Sequence, residues 1–201
     1  MTNNESTKEF ILTKNERLYN DENFNTFFKS PIIKNFTSKY VKFYTFNAGF
    51  KKKSDDLLLV IFKEPIPVAA VYSKTSTPSA PIIWDKKNNN GFCKILIVNS
   101  GNANAHTGVK GLETIDKYTK DLAKYLSCSQ KEILVSSTGV IGEQFDSQII
   151  SNQIKILPKS KNKMLIDAAK AICTTDTFIK TSVHSLKIEN KKIKIYGFAK
   201  G

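Results

Sequence analysis

Three neighbouring segments in the middle of the chain decide the fold class: "CKILIVNS" (93–100), "GLETIDKYTKDLAKYLS" (111–127) and "ILVSS" (133–137). The first and third are apolar runs of strand length, which is typical of buried strands. The second has charged residues on one side and apolar residues at helical spacing on the other, namely Leu112, Ile115, Leu122 and Leu126. The pattern therefore changes from strand to amphipathic helix and back to strand.

The same reasoning extends outward along the chain. Further strands are predicted at "YVKFYTF" (40–46), "DDLLLVIF" (55–62) and "VAAVYS" (68–73), and a terminal β-hairpin at "HSLKIENKKIKIYGFAK" (184–200). Two more helices are predicted at "EQFDSQIISNQIKIL" (143–157) and "KNKMLIDAAKAI" (161–172), separated by Pro158. The fold class is α/β (α+β layered), with helices packed on a mixed β-sheet.

The 201 residues divide into a polar N-terminal extension, 1–40, and one domain, 41–201. Within the extension, "SPIIKNF" (30–36) is the one predicted docking point. The N-terminus lacks the apolar region of a signal peptide, and no apolar run approaches the length of a membrane span. The three cysteines are widely and irregularly spaced. We therefore expect reduced thiols in a cytoplasmic protein without a membrane partner.

The charge of the chain is strongly basic, with a formal net charge of +13. Arg17 is the only arginine, and the lysines are scattered apart from short runs such as 51–53. Base readout and bidentate phosphate recognition depend largely on arginine. We therefore expect no nucleic-acid partner beyond weak, non-specific binding.

Small neutral residues form three candidate ligand loops, "NSGNANAHTG" (99–108), "SSTGVIG" (136–142) and "CTTDTF" (173–178). Loops at strand ends are where ligand sites form in α/β proteins. The Gly139 backbone N–H and the Thr138 hydroxyl are suited to donate to a developing oxyanion. The alternative for "SSTGVIG" is a tight strand-to-helix turn with a Ser/Thr cap, and for "NSGNANAHTG" a turn of Asx-type hydrogen bonds.

Other catalytic signatures are missing from the sequence. There is no P-loop, no GxGxxG, no GxSxG and no cluster with metal-ligand spacing. His106 and His184 are the only histidines, and lone histidines are most often loop or surface residues. On spacing alone, Asp176 in "TTDT" is interpreted as a cap rather than as a ligand for a substrate amine.

Taken in order, "VNSGNANAHTG", "SSTGVIG", "AICTTDTF" and the terminal "AKG" resemble the α chain of the ornithine acetyltransferase (glutamate N-acetyltransferase, ArgJ) family. The resemblance runs from about residue 45 to residue 201 and implies the DmpA/ArgJ-like fold. His106 departs from it, since the family usually has cysteine there.

The resemblance implies a precursor that cleaves itself before the threonine of an "ATML" segment. That threonine heads a β chain, accepts acetyl from N-acetylornithine, and passes it to glutamate in arginine biosynthesis. Thr138 and Gly139 would form the oxyanion hole, and Thr174 and Lys200 would bind substrate, with Thr175, Asp176 and Thr177 as neighbours. Neither a metal nor an organic cofactor is implied, and acetyl-CoA would enter only as an acetyl donor.

The implied partner is the β chain, in an α2β2 assembly. The sequence ends at Gly201, before the "ATML" segment, so we expect no turnover from this chain alone. The alternative is a catalytically inactive, truncated relative that acts as a binding module. A related family of self-cleaving aminopeptidases with a similar fold is a further reading, but "NSGNAN" argues against it.

Overall fold

The computed structural model describes Ile33 and residues 36–200. Its centre is a four-stranded sheet in the order β1-β2-β3-β4. The strands are β1 (Val41–Phe46), β2 (Leu57–Pro67), β3 (Phe92–Asn102) and β4 (Ile133–Val140). The β1–β2 and β2–β3 pairs are antiparallel and the β3–β4 pair is parallel, so the sheet is mixed, as predicted.

Four α-helices and a hairpin complete the described part of the chain. The helices are α1 (Ala80–Asn88), α2 (Gly108–Leu126), α3 (Gln148–Ile156) and α4 (Leu165–Ala171). Two short 3-10 turns lie at Gln130–Glu132 and Leu157–Lys159. The second contains Pro158 and separates α3 from α4, as expected. Strands β5 (Lys180–Ile188) and β6 (Lys191–Ala199) form the predicted antiparallel hairpin.

The first face of the sheet is covered by α1, α2 and α3. Alternate strand residues point to this face, because side chains alternate along a strand. The fully buried helix residues that meet them include Ile115, Leu122 and Ile150. The charged residues of α2, such as Asp116 and Lys120, are exposed, so the amphipathic pattern is confirmed.

The second face is covered by α4 and by one side of the hairpin. Leu58 and Val60 of β2 pack there against Leu165 and Ala168 of α4. From the predicted docking segment, Ile33 is buried in the same cluster, and the Phe36 ring lies 4.7 Å from that of Tyr196, edge to face. Apart from Ile33 and residues 36–40, the extension lies outside the described residues.

One predicted strand is absent, and one helix was not predicted. "VAAVYS" (68–73) is not a strand: its residues form no ladder and Val71 is fully exposed, because β2 ends at Pro67, the partner of the first residue of β3, Phe92. In addition, α1 was not predicted. Its residues "APIIWDKKN" show no helical period, and contacts with β4 hold it, including the hydrogen bond from Trp84 Nε1 to the Ile133 carbonyl at 3.5 Å.

Boundaries also shift around α3. The predicted helix over 143–157 begins only at Gln148, and "SSTGVIG" is mostly strand, since β4 continues to Val140. Among the residues that the structure describes, no helix combines the length and apolar character required to cross a membrane.

Candidate functional site

Parallel pairing places two candidate loops side by side at the ends of β3 and β4. Ser100 is the partner of Thr138, and Gly101 is the partner of Gly139. Gly139 has a φ of +135°, and a Cβ built on it would lie 2.2 Å from the carbonyl carbon of Gly101. Only glycine fits there, because a positive φ and this backbone approach exclude a side chain.

The loop after β3 is held by asparagine side chains. Asn102 Oδ1 accepts from the backbone N–H of Asn104 at 2.7 Å, and Asn102 Nδ2 donates to the Glu143 carbonyl at 2.9 Å. Asn104 in turn donates to the Gly111 carbonyl and accepts from the Thr107 hydroxyl. The network of Asx-type bonds that was expected as the structural interpretation of "NSGNANAHTG" is therefore present.

The hydroxyls of "SSTGVIG" do not cap a helix. Ser137 Oγ donates to Asn99 Oδ1 at 2.6 Å, and α3 begins after Ser147 without a side-chain cap bond. The interpretation as a capped turn is thus wrong. Thr138 is half-buried and Gly139 is exposed, so a ligand can approach both.

The Thr174 segment follows α4 directly. The backbone N–H of Thr174 donates to Asp176 Oδ2 at 3.0 Å, and Asp176 Oδ1 pairs with Lys180 Nζ at 2.6 Å. The Asp176 side chain is fully buried in this arrangement. Asp176 therefore binds a backbone N–H, as a cap does, although no helix follows it, while Thr175 and Thr177 are exposed.

The hairpin brings Lys200 to the same segment. Ala199 of β6 is the partner of Lys180 of β5, and exposed Lys200 follows it. Burial raises the pKa of the Cys173 thiol, and Asp176 raises it further, while the charges of Lys180, Lys51 and Lys200 act in the opposite direction. Lys200 thus lies within electrostatic reach of the residue that precedes Thr174.

One carbonyl joins the two groups of candidates. Ser100 Oγ donates to the Ala171 carbonyl at 2.5 Å, and Ser100 is also the strand partner of Thr138. Lys51 Nζ donates to the same carbonyl at 3.3 Å and to the Cys173 carbonyl at 3.0 Å. The structure therefore brings the Thr138–Gly139 strand end and the Thr174–Lys200 group to one region, through contacts that run via Ser100.

The two histidines and the three cysteines are the other titratable groups considered from the sequence. His106, with a φ of +55°, and His184 are both exposed, and Cys93, Cys128 and Cys173 are free thiols. Within the described residues, no group of three or more His, Cys, Asp or Glu side chains is arranged to hold a metal ion.

Three residues of interest were not singled out from the sequence. Lys51 stands in a lysine run, and Ser100 is one of many small residues in its loop. Asp85 lies in the unpredicted helix α1, is 6% exposed, and accepts from the Val135 N–H at 2.9 Å. Burial raises the pKa of Asp85 to about 7, against the opposing effect of that hydrogen bond. The one sequence feature that could have pointed to any of the three was the position of Lys51 in a loop between two buried strands.

Known proteins resemble the chain over most of its length. It is 37% identical over 179 residues to the arginine biosynthesis bifunctional protein ArgJ of Rhizobium meliloti, covering 88% of this chain and 42% of that protein. The ArgJ protein of Caldanaerobacter subterraneus is 37% identical over 156 residues, covering 77% of this chain and 39% of that protein. The chain thus spans about two fifths of the length of these relatives.

Two solved structures also resemble the chain. The crystal structure of the arginine biosynthesis bifunctional protein ArgJ from Bacillus halodurans matches with a TM-score of 0.73 and 30% identity, covering 82% of this chain and 87% of that one. Ornithine acetyltransferase from Mycobacterium tuberculosis, solved in complex with ornithine, matches with a TM-score of 0.70 and 26% identity, covering 81% and 89%. The model of the ArgJ family matches residues 42–201, and the chain belongs to that family.

Proposed function

We propose that this chain is the α portion of an N-acetyltransferase that moves acetyl from N2-acetylornithine to glutamate in arginine biosynthesis. The observation that carries the proposal is the glycine-only strand end at Gly139, with half-buried Thr138 beside it and the Thr174 segment attached through Ser100. Family membership and the names of the relatives support the same reaction.

The proposed reaction has two acyl-transfer steps. The hydroxyl of a threonine at the head of a β portion attacks the acetyl carbonyl of N-acetylornithine, the amide C–N bond breaks, and ornithine leaves with the proton on its amine. The amine of glutamate then attacks the acetyl-threonine ester, which releases N-acetylglutamate and restores the hydroxyl. Each step passes through a tetrahedral intermediate that carries a negative oxygen.

The role of Thr138 and Gly139 is to stabilise that oxygen. A hydroxyl and a backbone N–H donate without carrying charge, so they bind a transient oxyanion without holding an anionic substrate tightly in the ground state. Fixed strand pairing with Ser100 and Gly101 keeps the two donors in place before the reaction. This arrangement lowers the barrier because no reorganisation is needed.

Thr174 and Lys200 would hold the substrate. Both substrates carry an α-carboxylate, and glutamate carries a second one. The ammonium of exposed Lys200 is suited to pair with a carboxylate, and Thr174 is suited to hydrogen-bond beside it. The Asp176–Lys180 pair holds the Thr174 backbone, and Lys200 follows β6, whose Ala199 pairs with Lys180.

The proposed partner is the β portion that carries the nucleophile, in an α2β2 assembly. The solved relatives matched at 87% and 89% of their chains, whereas the curated relatives matched at about two fifths of theirs. The matched solved chains are therefore much shorter than the curated proteins, which supports the proposal that these relatives work as two shorter chains. Exposed Val140 and Ile141 next to Gly139 provide apolar surface for such a partner.

The experiment is an acetyl-transfer assay on this chain purified together with its β portion. N-acetylornithine carrying a labelled acetyl group is supplied with glutamate, and labelled N-acetylglutamate is measured. We expect transfer. We also expect parallel lines in double-reciprocal plots of initial rate against one substrate at several concentrations of the other, as in ping-pong kinetics. Absence of transfer from a folded complex would instead support the alternative, an inactive binding module.

A further inference from the structure

Lys51 stands on a loop whose backbone is fixed by a buried carboxylate. The loop joins β1 to β2, and the fully buried Asp56 accepts from the backbone N–H groups of Ala48 at 2.6 Å, Gly49 at 3.2 Å and Lys51 at 2.7 Å. Three such bonds to one carboxylate leave the loop little freedom. The Lys51 side chain therefore extends from a defined position.

The ammonium of Lys51 binds the end of helix α4. It donates to the carbonyls of Ala171 and Cys173, which lie at and just beyond the last helical residue. Terminal helix carbonyls lack intrahelical partners and carry the negative end of the helix dipole, so a cation there satisfies them. Burial lowers the pKa of Lys51, with Asp56 opposing that effect. This desolvation distinguishes Lys51 from neighbouring Lys52, which is exposed.

Ser100 also donates a hydrogen bond to the Ala171 carbonyl. The distance from its hydroxyl oxygen to that carbonyl oxygen is 2.5 Å, and the residue is fully buried. Because Ser100 is the strand partner of Thr138, this bond attaches α4 to the strand end that holds the proposed oxyanion donors. Thr174 follows the Ala171 carbonyl by only three residues.

We propose that Lys51 and Ser100 are positioning residues that fix Thr174, and with it the substrate, relative to Thr138 and Gly139. This inference rests on the proposed function of the site. Lys51 and Ser100 act through the backbone at Ala171 and Cys173 and do not touch the reacting atoms. Loss of either bond loosens the attachment of the Thr174 segment to the sheet, so substrate is held less well and in a less productive orientation.

The test uses the complete enzyme, with both portions, in four variants: Lys51→Met, Lys51→Arg, Ser100→Ala and, as the matched control, Lys52→Met. We expect Lys51→Met and Ser100→Ala to raise KM for both amino-acid substrates on the order of tenfold, with a smaller fall in kcat. Lys51→Arg should recover part of this loss, because a guanidinium donates to the same carbonyls. Lys52→Met should match wild type.

The outcomes separate this inference from the proposed function. A wild-type enzyme without acetyl transfer refutes the proposed function. An active wild type in which Lys51→Met and Ser100→Ala leave KM unchanged overturns the positioning role alone. If Lys51→Met does not fold, the other two variants decide. The positioning role is overturned if Ser100→Ala has the wild-type KM. It is also overturned if Lys51→Arg lowers thermal stability without any effect on KM.

Discussion

Gly139 and Gly101 lie against each other at the end of the parallel β3–β4 pair, and both have a positive φ, +135° and +113°. A Cβ on Gly139 would meet the Gly101 backbone, and a Cβ on Gly101 would lie 2.8 Å from Cβ of Phe50. Gly139 is thus required for the close approach of β4 to β3, and Gly101 for the close approach of β3 to Phe50. The approach of β4 to β3 keeps β4 in its ladder up to Val140 and holds the backbone of Thr138 and Gly139 at the strand end.

Gly139→Ala is therefore expected to damage both stability and activity. The substitution adds backbone strain and forces β3 and β4 apart, which should cost more than about 1 kcal/mol of unfolding free energy. Acetyl transfer should fall with it, because both donors move. Gly197→Ala is the control, since Gly197 lies in open space without a positive φ. Equal stability of the two variants in urea unfolding would contradict this account of Gly139.

Thr138→Ala is expected to reduce kcat for acetyl transfer about 100-fold, because one oxyanion donor is removed. Thr138→Ser keeps the hydroxyl and should retain most activity. Ser136, exposed on the same strand, provides the control Ser136→Ala. Steady-state kinetics with N-acetylornithine and glutamate measure the effect, and an unchanged rate would remove Thr138 from the mechanism.

Lys200→Ala is expected to raise KM for the amino-acid substrates more than it lowers kcat, since the proposed role of Lys200 is to bind a carboxylate. Lys194→Ala, at another exposed lysine of β6, should leave both constants unchanged. A fall in kcat alone, with KM unaltered, would assign Lys200 to the chemical step and contradict the binding role.

Asp85→Asn is expected to change how stability depends on pH. Burial raises the pKa of Asp85 from 3.8 to about 7, so between these values the native state binds more protons than the unfolded state. The Asp85 contribution to stability is therefore full at low pH and is lost as pH rises through about 7. Asparagine keeps the acceptor for the Val135 N–H and cannot ionise.

Urea unfolding at about pH 5 and about pH 8 measures this effect. Relative to wild type, Asp85→Asn should be more stable at the higher pH than at the lower pH. The expected difference is about 1.4 kcal/mol for each pH unit between the lower pH and the raised pKa of Asp85. The exposed residue Glu113 of α2 provides the control Glu113→Gln. A stability difference between Asp85→Asn and wild type that is the same at both pH values would show that Asp85 does not titrate in this range.

Metal removal is expected to leave acetyl transfer unchanged, because the proposed mechanism uses a threonine hydroxyl, a backbone N–H and a lysine. Dialysis of the complete enzyme against a chelator, followed by the same assay, checks this. Activity that falls on dialysis and returns with one particular divalent ion would require a different mechanism.

The sequence predicted those parts of the fold in which periodicity and burial agree. In α2, Ile115 and Leu122 recur at helical spacing and are fully buried, and β3 and β4 are apolar runs inside the sheet. It failed where long-range contacts decide the structure. Helix α1 depends on hydrogen bonds between its residues Trp84 and Asp85 and strand β4, about 50 residues further along the chain. The local sequence pattern does not reveal such long-range bonds.

The same distinction holds for the candidate site. Thr138, Gly139, Thr174 and Lys200 came from motifs that resemble a family, and their roles remain predictions. Lys51 could not be found that way, because one lysine in a run of three is locally equivalent to its neighbours. Only the fold brings its ammonium to the Cys173 carbonyl, 122 residues along the chain.

The decisive measurement is purification of a tagged copy of this chain from its native cells, with intact-mass analysis of the protein that co-purifies. We predict a stoichiometric partner that begins with threonine and gains the mass of one acetyl group on that residue when N-acetylornithine is added. A chain that purifies without such a partner, or a partner that takes up no acetyl group, would contradict the proposed function.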